Sequence, residues 1–200
     1  MTHEIRWRIL SLQLVGILVL AFVAGVAFWG HNFTQDQVRS QLSAQQIVFP
    51  VANSPALTAL PAANATAMKQ YAGQTMTTGD QAKTYANNFI AVHLNEIGQG
   101  KTYSYWSGKA LAEKTSNPKQ YAIDEGIAQT LFQGTTLRSM LLNAWAFWFV
   151  GTLALYAAIG TAIGALAIFI AFLYELVVEP RREGIVELKE RRSTAHVAVS

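Results

Sequence analysis

The chain has no cysteine, which excludes disulfides, thiolate metal sites and cysteine nucleophiles. Any domain it exposes outside a cell must therefore be stable through a packed core of its own. Charge is scarce and unevenly spread. Fifteen Lys and Arg stand against 12 Asp and Glu, a net charge of +3. That excess is too small to point to nucleic acid, and no basic face with interleaved aromatics stands out. From Ile9 to Gln35, and again from Ser139 to Tyr174, no residue carries a formal charge.

The second of these stretches, 139–174, is 36 residues long, too long to hide inside so small a domain. A bilayer core needs ~20 apolar residues in a helix, and runs of ~18 or more read as membrane spans. The first span is placed at Ile9–Trp29, with Gln13 its one strongly polar member and Trp29 suited to the far interface. A cleaved secretory signal is the rival reading, with Gly25-Val26-Ala27 as a poor cleavage site. The apolar run exceeds the ~7–15 residues usual for a signal, which favours a retained anchor.

As one helix, residues 139–174 would reach about 54 Å against a hydrocarbon core of ~30 Å. Either the segment is a hairpin of two short spans turning near Gly160-Thr161, or one helix crosses after its first turns stand in the outer interface. The hairpin would put irregular backbone in lipid with polar groups unpaired, and its turn lacks Pro, Asn, Asp or charge. The ring cluster Trp145, Phe147, Trp148 and Phe149 has the composition of an interfacial belt. The single span is preferred: interfacial turns at 141–148, span at 149–174, Tyr174 at the inner interface.

Short flanks rich in Lys and Arg stay in the cytoplasm. Arg6 and Arg8 precede the first span; Arg181, Arg182, Lys189, Arg191 and Arg192 follow the second. Both termini, 1–8 and 175–200, therefore read as cytoplasmic, which needs an even number of spans. The expected fold is an all-α plasma-membrane protein, with two transmembrane helices flanking a small helical extracytoplasmic domain at 30–140.

Within that domain Thr34–Gln46 reads as a polar stalk with a thin stripe, Val38 and Leu42. Ile47-Val48-Phe49-Pro50 is extended, since residues before proline avoid the helical region, and a loop with Pro55 and Pro61 follows. Helices are expected at Ala62–Gly73, Asp80–Glu96, Tyr105–Lys114 and Lys119–Phe132. Tyr85, Phe89, His93 and Ile97 recur every four residues as a core-facing stripe. In the last helix Ile123, Ile127, Ala128, Leu131 and Phe132 share a side. Gly134 is expected to break the chain, with Thr135 or Thr136 capping the next helix.

Candidate chemistry is thin. On this topology His3 and His196 lie inside, His31 at the outer interface and His93 in the outer domain, so the four cannot converge. His93 reads as a half-buried imidazole with its polar edge satisfied, since a metal site needs several ligands. Asp124 and Glu125 point to different helix faces and read as helix solvation. No Gly-x-Ser-x-Gly nucleophile or phosphate-cradling loop occurs. Asn32-Phe-Thr34 and Asn64-Ala-Thr66 match the glycosylation pattern. No cofactor is expected, and the chain reads as non-enzymatic.

Gly160 and Gly164 lie one turn apart in the second span, as do Ala21 and Gly25 in the first. Small residues at this spacing let helices approach closely in lipid, so these four are candidate helix-packing positions. Trp29, Trp145, Trp148 and Tyr174 are the candidate interfacial anchors. The tail Pro180–Arg192 reads as a solvated segment. Expected partners are the bilayer, and a protein partner or a second copy through the spans.

Four segments carry a resemblance: Ile47-Val-Phe-Pro50, Tyr85-Ala-Asn-Asn-Phe-Ile-Ala-Val-His93, Gly100-Lys-Thr-Tyr-Ser104, and Leu131 through Trp145. With these the chain resembles a family of uncharacterised actinobacterial two-span membrane proteins. The resemblance implies a cell-envelope protein with its outer domain between plasma membrane and wall, and brings no activity. A ring-opening dioxygenase label sometimes attached to such proteins is not carried over, because scattered histidines cannot build the iron site it requires.

Overall fold

Apolar runs of this length, free of proline and charge, have one local solution, and the computed structural model of the chain, which describes residues 3–178, is helical throughout its long segments. In chain order the elements are α1 (His3–Ala44), α2 (Pro55–Thr58), α3 (Ala62–Lys69), α4 (Gly79–Tyr85), a π-helical turn (Ala86–Ile90), α5 (Ala91–Ile97), α6 (Tyr103–Glu113) and α7 (Pro118–Leu173). A second π-helical turn, Tyr174–Val178, follows α7. Among the described residues no strand forms. Val48 and Thr75 make an isolated antiparallel bridge, backed by Met76 N–H donating to the Ile47 carbonyl at 2.8 Å. α1 and α7 are long and apolar enough to cross a membrane.

The chain divides into two compact units. The first takes residues 1–31 and 153–200, of which 3–31 and 153–178 are described. Here Gly16 faces the Ile168 side chain, with room for a Cβ 3.7 Å from it, and Gly164 faces Leu20 in the same way at 3.5 Å. Arg6 donates to the Glu175 carbonyl at 3.0 Å, meeting the backbone acceptors that a helix end leaves open. Gln13 is half-buried, and its Oε1 has no donor among the described residues.

The second unit is Asn32–Thr152. Its core gathers Val38 and Leu42 of α1, Phe49, Leu57 of α2, Met68 of α3, Met76, Ala82, Ala86, Ile90 and Leu141 of α7. A smaller cluster joins Trp106 of α6 to Ala128 and Leu131 of α7, with the Trp106 indole donating to the Gly98 carbonyl at 2.8 Å. α4 opens on a capping box. The Thr78 hydroxyl accepts from Gln81 N–H at 3.3 Å, and the buried Gln81 Oε1 accepts from Thr78 N–H at 3.1 Å, so both orphan donors are satisfied.

Several expectations are corrected. Gly134 does not break the chain: α7 runs through it, and through Gly160 and Thr161, without a turn. The glycine serves instead for close approach, since a Cβ there would collide with the side chain of Leu94, Cγ lying 3.2 Å away. The polar stalk is not a stalk. Val38 and Leu42 are 5% and 4% exposed, because the α7 segment that covers them lies about a hundred residues away in sequence. The deepest row of the α4–α5 stretch is Ala82, Ala86 and Ile90; Tyr85 and Phe89 pack beside it and Ile97 is exposed. In α7 only Ala128 and Leu131 of the expected face are buried, while Ile123 and Phe132 are exposed. The segment expected as a helix to Gly73 ends at Lys69, and α2 forms within the expected loop. The tail Pro180–Arg192 and His196 lie outside the described residues.

Candidate functional site

The π-helical turn at Ala86–Ile90 inserts one extra residue into the helical register, and it brings polar side chains onto the neighbouring elements. Asn88 accepts from the Asn64 side chain of α3 at 3.1 Å. Asn87 Oδ1 accepts from Arg138 Nη2 of α7 at 2.9 Å. His93 lies one turn beyond Phe89 and bonds its carbonyl at 2.8 Å. A carbonyl only accepts, so Nδ1 carries the proton. His93 is half-buried with that edge satisfied and its ring against Phe89, centroids 4.4 Å apart. The structure supplies what the sequence led one to expect of this imidazole.

Asp124 departs from expectation. Its side chain has no accessible surface, and Lys109 of α6 bridges it at 3.1 Å, with Gln120 Nε2 donating at 2.9 Å. Burial raises the carboxyl pKa, but the hydrogen bonds from Gln120 and Lys109 and the Lys109 charge outweigh it, leaving Asp124 below its ordinary 3.8. Lys109 is held above its ordinary 10.5, chiefly by the same hydrogen bond. Its ammonium also stands 5.0 Å from the Trp106 ring centroid. Solvation does not explain Asp124; it ties α6 to α7. Sequence alone could not reveal this, since the partner lies on another helix. Glu125 is exposed, as expected of a solvated helix face.

Among the described residues no three His, Asp or Glu side chains converge as a metal site would require. One concave feature of the second unit has an uncharged lining. A groove of about 560 Å³ runs between α1 and α7. Phe33, Gln37, Gln41 and Gln45 form one rim at four-residue spacing, and Leu137, Met140 and Phe147 form the other, over a floor that includes Val38, Leu42 and Leu141. A second hollow, of about 480 Å³, adjoins it and shares Met140 and Asn143. Thr135, Thr136 and Ser139 line this hollow between Tyr103 and Phe132, whose rings meet at 5.6 Å. The sequence signal for the groove is the Phe33–Gln37–Gln41–Gln45 row, which reads as a plain polar face until α7 is set beside it.

The helix-packing and anchor candidates fall in different places. Gly164 lies against Leu20, whereas an added Cβ on Gly25 or Gly160 would meet nothing within 4 Å, and Ala21 is exposed. Gly16, which sequence reasoning passed over, is a helix contact. Trp148 packs on the core of the second unit, pressed against Gly79, where a Cβ would meet its Cγ at 2.5 Å. Its carbonyl accepts from Gln35 at 3.1 Å. Trp145 carries Lys83 over its ring at 4.1 Å and stacks on Phe149 at 5.9 Å. Trp29 is 65% exposed and Tyr174 46%.

Compared with known protein-family models, curated proteins and solved structures, the chain matches none.

Proposed function

We propose that this chain is an integral plasma-membrane protein of the cell envelope. In this reading α1 and α7 span the bilayer, both termini are cytoplasmic, and the unit Asn32–Thr152 is a non-enzymatic binding domain on the outer face. One observation carries it. In the first unit most large apolar side chains point outward, with Leu12 74%, Phe22 72% and Ile163 63% exposed, while Leu10, Ala158 and Ala165 are buried and Gly16 and Gly164 sit at the contact. Water penalises that arrangement, whereas hydrocarbon favours it, because helices in lipid associate through small residues and have no apolar surface to hide. The basic flanks give the orientation, and the resemblance described above agrees with an envelope location. Recognition is the reading drawn from the two uncharged hollows of the second unit, which are lined by apolar side chains, amides and hydroxyls.

The absence of native cysteine makes the test clean. Ala63→Cys, exposed on α3, should react with a membrane-impermeant maleimide on intact, wall-stripped cells. Glu4→Cys should react only after permeabilisation. The reverse pattern, or both sites open from outside, would sink the topology.

A second reading, an accessory subunit recognised through its spans, is favoured by the open faces at Gly25 and Gly160. Gly160→Leu should then remove a stoichiometric partner that co-purifies with the wild-type chain in mild detergent. A partner retained in full would dispose of this reading.

A further inference from the structure

The two apolar clusters of the second unit are unequal, and α6 belongs only to the smaller. Twelve buried hydrophobics make the main core, and none of them is on α6. The smaller cluster has three, Trp106 of α6 with Ala128 and Leu131 of α7. Among the described residues Leu94 is the one side chain that packs against both. The rest of α6 is little covered. It buries Trp106 and Ala110, while Tyr103, Tyr105 and Leu111 are 46%, 49% and 70% exposed. Its ends are lightly held as well. Thr102 precedes it without a side-chain cap, whereas α4 starts on a full capping box. The turn before α6 takes left-handed φ values of 52° at Gln99 and 73° at Gly100, and residues 114–117 after it are exposed. Segments that bury few apolar contacts open at a lower free energy than the whole domain.

Polar contacts oppose that opening. Among the described residues α6 side chains donate to other elements at two points. The Trp106 indole reaches the Gly98 carbonyl at 2.8 Å, and the Lys109 ammonium reaches Asp124 Oδ2 at 3.1 Å. The second carries the larger penalty when broken. The Asp124 side chain has no accessible surface, so losing Lys109 while still dry would leave a buried carboxylate without its cation. The pair therefore has two acceptable states: bonded with α6 down on α7, or hydrated with α6 away. A half-open state is penalised, and that is how a latch behaves.

We infer that α6 is a lid that lifts from α7 as a unit while the main core stays folded, with the Lys109–Asp124 pair as its latch. The lid has something to cover. The smaller hollow takes Tyr103 from α6 and every other lining residue from α7. Lifting α6 removes one wall of that hollow and bares Ala128 and Leu131 of α7. The hollow is complete only while the latch is closed. This consequence for binding rests on the proposed binding role of the unit; the opening itself does not.

Hydrogen–deuterium exchange of the full chain in mild-detergent micelles tests the lid. In the wild type, amides of Tyr103–Glu113 should exchange at least tenfold faster, relative to free peptide, than those of Ala82–Ile90 in the main core. Asp124→Asn keeps the side chain's size and removes its charge. It should speed exchange in α6 at least a further tenfold and leave Ala82–Ile90 within twofold of wild type. Lys109→Met should act in the same direction, because it leaves Asp124 facing Glu113 of α6 with no cation between helices. Equal exchange of α6 and core in the wild type would overturn the lid. So would a joint rise in both variants, since the two would then open as one. Exchange in α6 unchanged by both substitutions would overturn the latch. The maleimide experiment reads topology separately, so either result can fail while the other stands.

Discussion

In the unit Asn32–Thr152 the buried side chains are large: Phe49, Leu57, Met68 and Met76 are each 1% exposed or less. In residues 3–31 and 153–178 the buried hydrophobics are Leu10, Ala158 and Ala165, and most rings and branched chains, Leu12, Phe22 and Ile163 among them, are exposed. One chain thus follows two opposite packing rules. The first is the rule of water, in which burying a Leu or Phe contributes about 1.5–3 kcal/mol. The second puts small residues at the helix contacts and large apolar ones outside, the arrangement that the proposed bilayer location would favour. A helix such as α7 obeys the first near Leu131 and Leu141 and the second near Gly164, so the boundary between rules falls within single elements.

The comparison can be broken most severely by cutting the chain. Val38, Leu42 and Leu141 lie on α1 and α7 but belong to the water-type core. At about 1.5–3 kcal/mol each they supply roughly 5–9 kcal/mol, comparable with the whole stability of an ordinary domain, ~5–15 kcal/mol. A fragment of residues 47–136 should therefore show no cooperative melt by circular dichroism, whereas 32–152 should melt cooperatively. Equal melts would mean the core does not need α1 and Leu141.

Point substitutions sharpen the contrast. Leu57→Ala should destabilise the full chain in micelles by about 2–5 kcal/mol through the cavity it leaves. Leu12→Ala, in the first unit, should change thermal stability by less than ~0.5 kcal/mol, as exposed positions do. A large effect at Leu12 would show that its side chain is covered by protein. Gly134→Leu drives a side chain into Leu94 and should cost about 1–3 kcal/mol. Gly160→Leu meets open space, so it should leave chemical denaturation of the purified chain unchanged.

The smallest expected effect is on pH dependence. Asp124, facing Lys109, Gln120 and Glu113, has its folded pKa depressed. The stability it contributes is full above 3.8 and is lost as pH falls through the lower folded value. Lys109 is raised, so its contribution is full below 10.5 and is lost as pH rises through the higher folded value. Melting of the wild-type chain should show a plateau between these limits, and Asp124→Asn should flatten the acid limb. An acid limb unchanged in that variant would assign the limb to other carboxylates.

The helical class and the two long apolar helices were legible in the sequence because the absence of charge over Ile9–Gln35 and Ser139–Tyr174 is a local signal. His93 was legible for the same reason, its partner Phe89 being one turn away. Val38 and Leu42 were misread because their partners are remote, and a two-residue stripe looks thin until α7 closes over it. Gly134 was misread because glycine signals a break and a close approach with the same letter; only Leu94 on another helix distinguishes them. Asp124 needed Lys109, on a helix that sequence places but cannot orient. The reading of a helix from Asp80 passed over the Thr78-x-x-Gln81 spacing, a capping-box signal that the structure realises at the start of α4.

That Val38 and Leu42 pack with Leu141 has a consequence for biosynthesis. A ribosome adds ~5–20 residues per second, so roughly 5–20 s separates the emergence of the first two from that of the third. Through that interval the nascent chain holds Phe49, Leu57 and Met68 without the wall that seals them, exposed to chaperones and proteases.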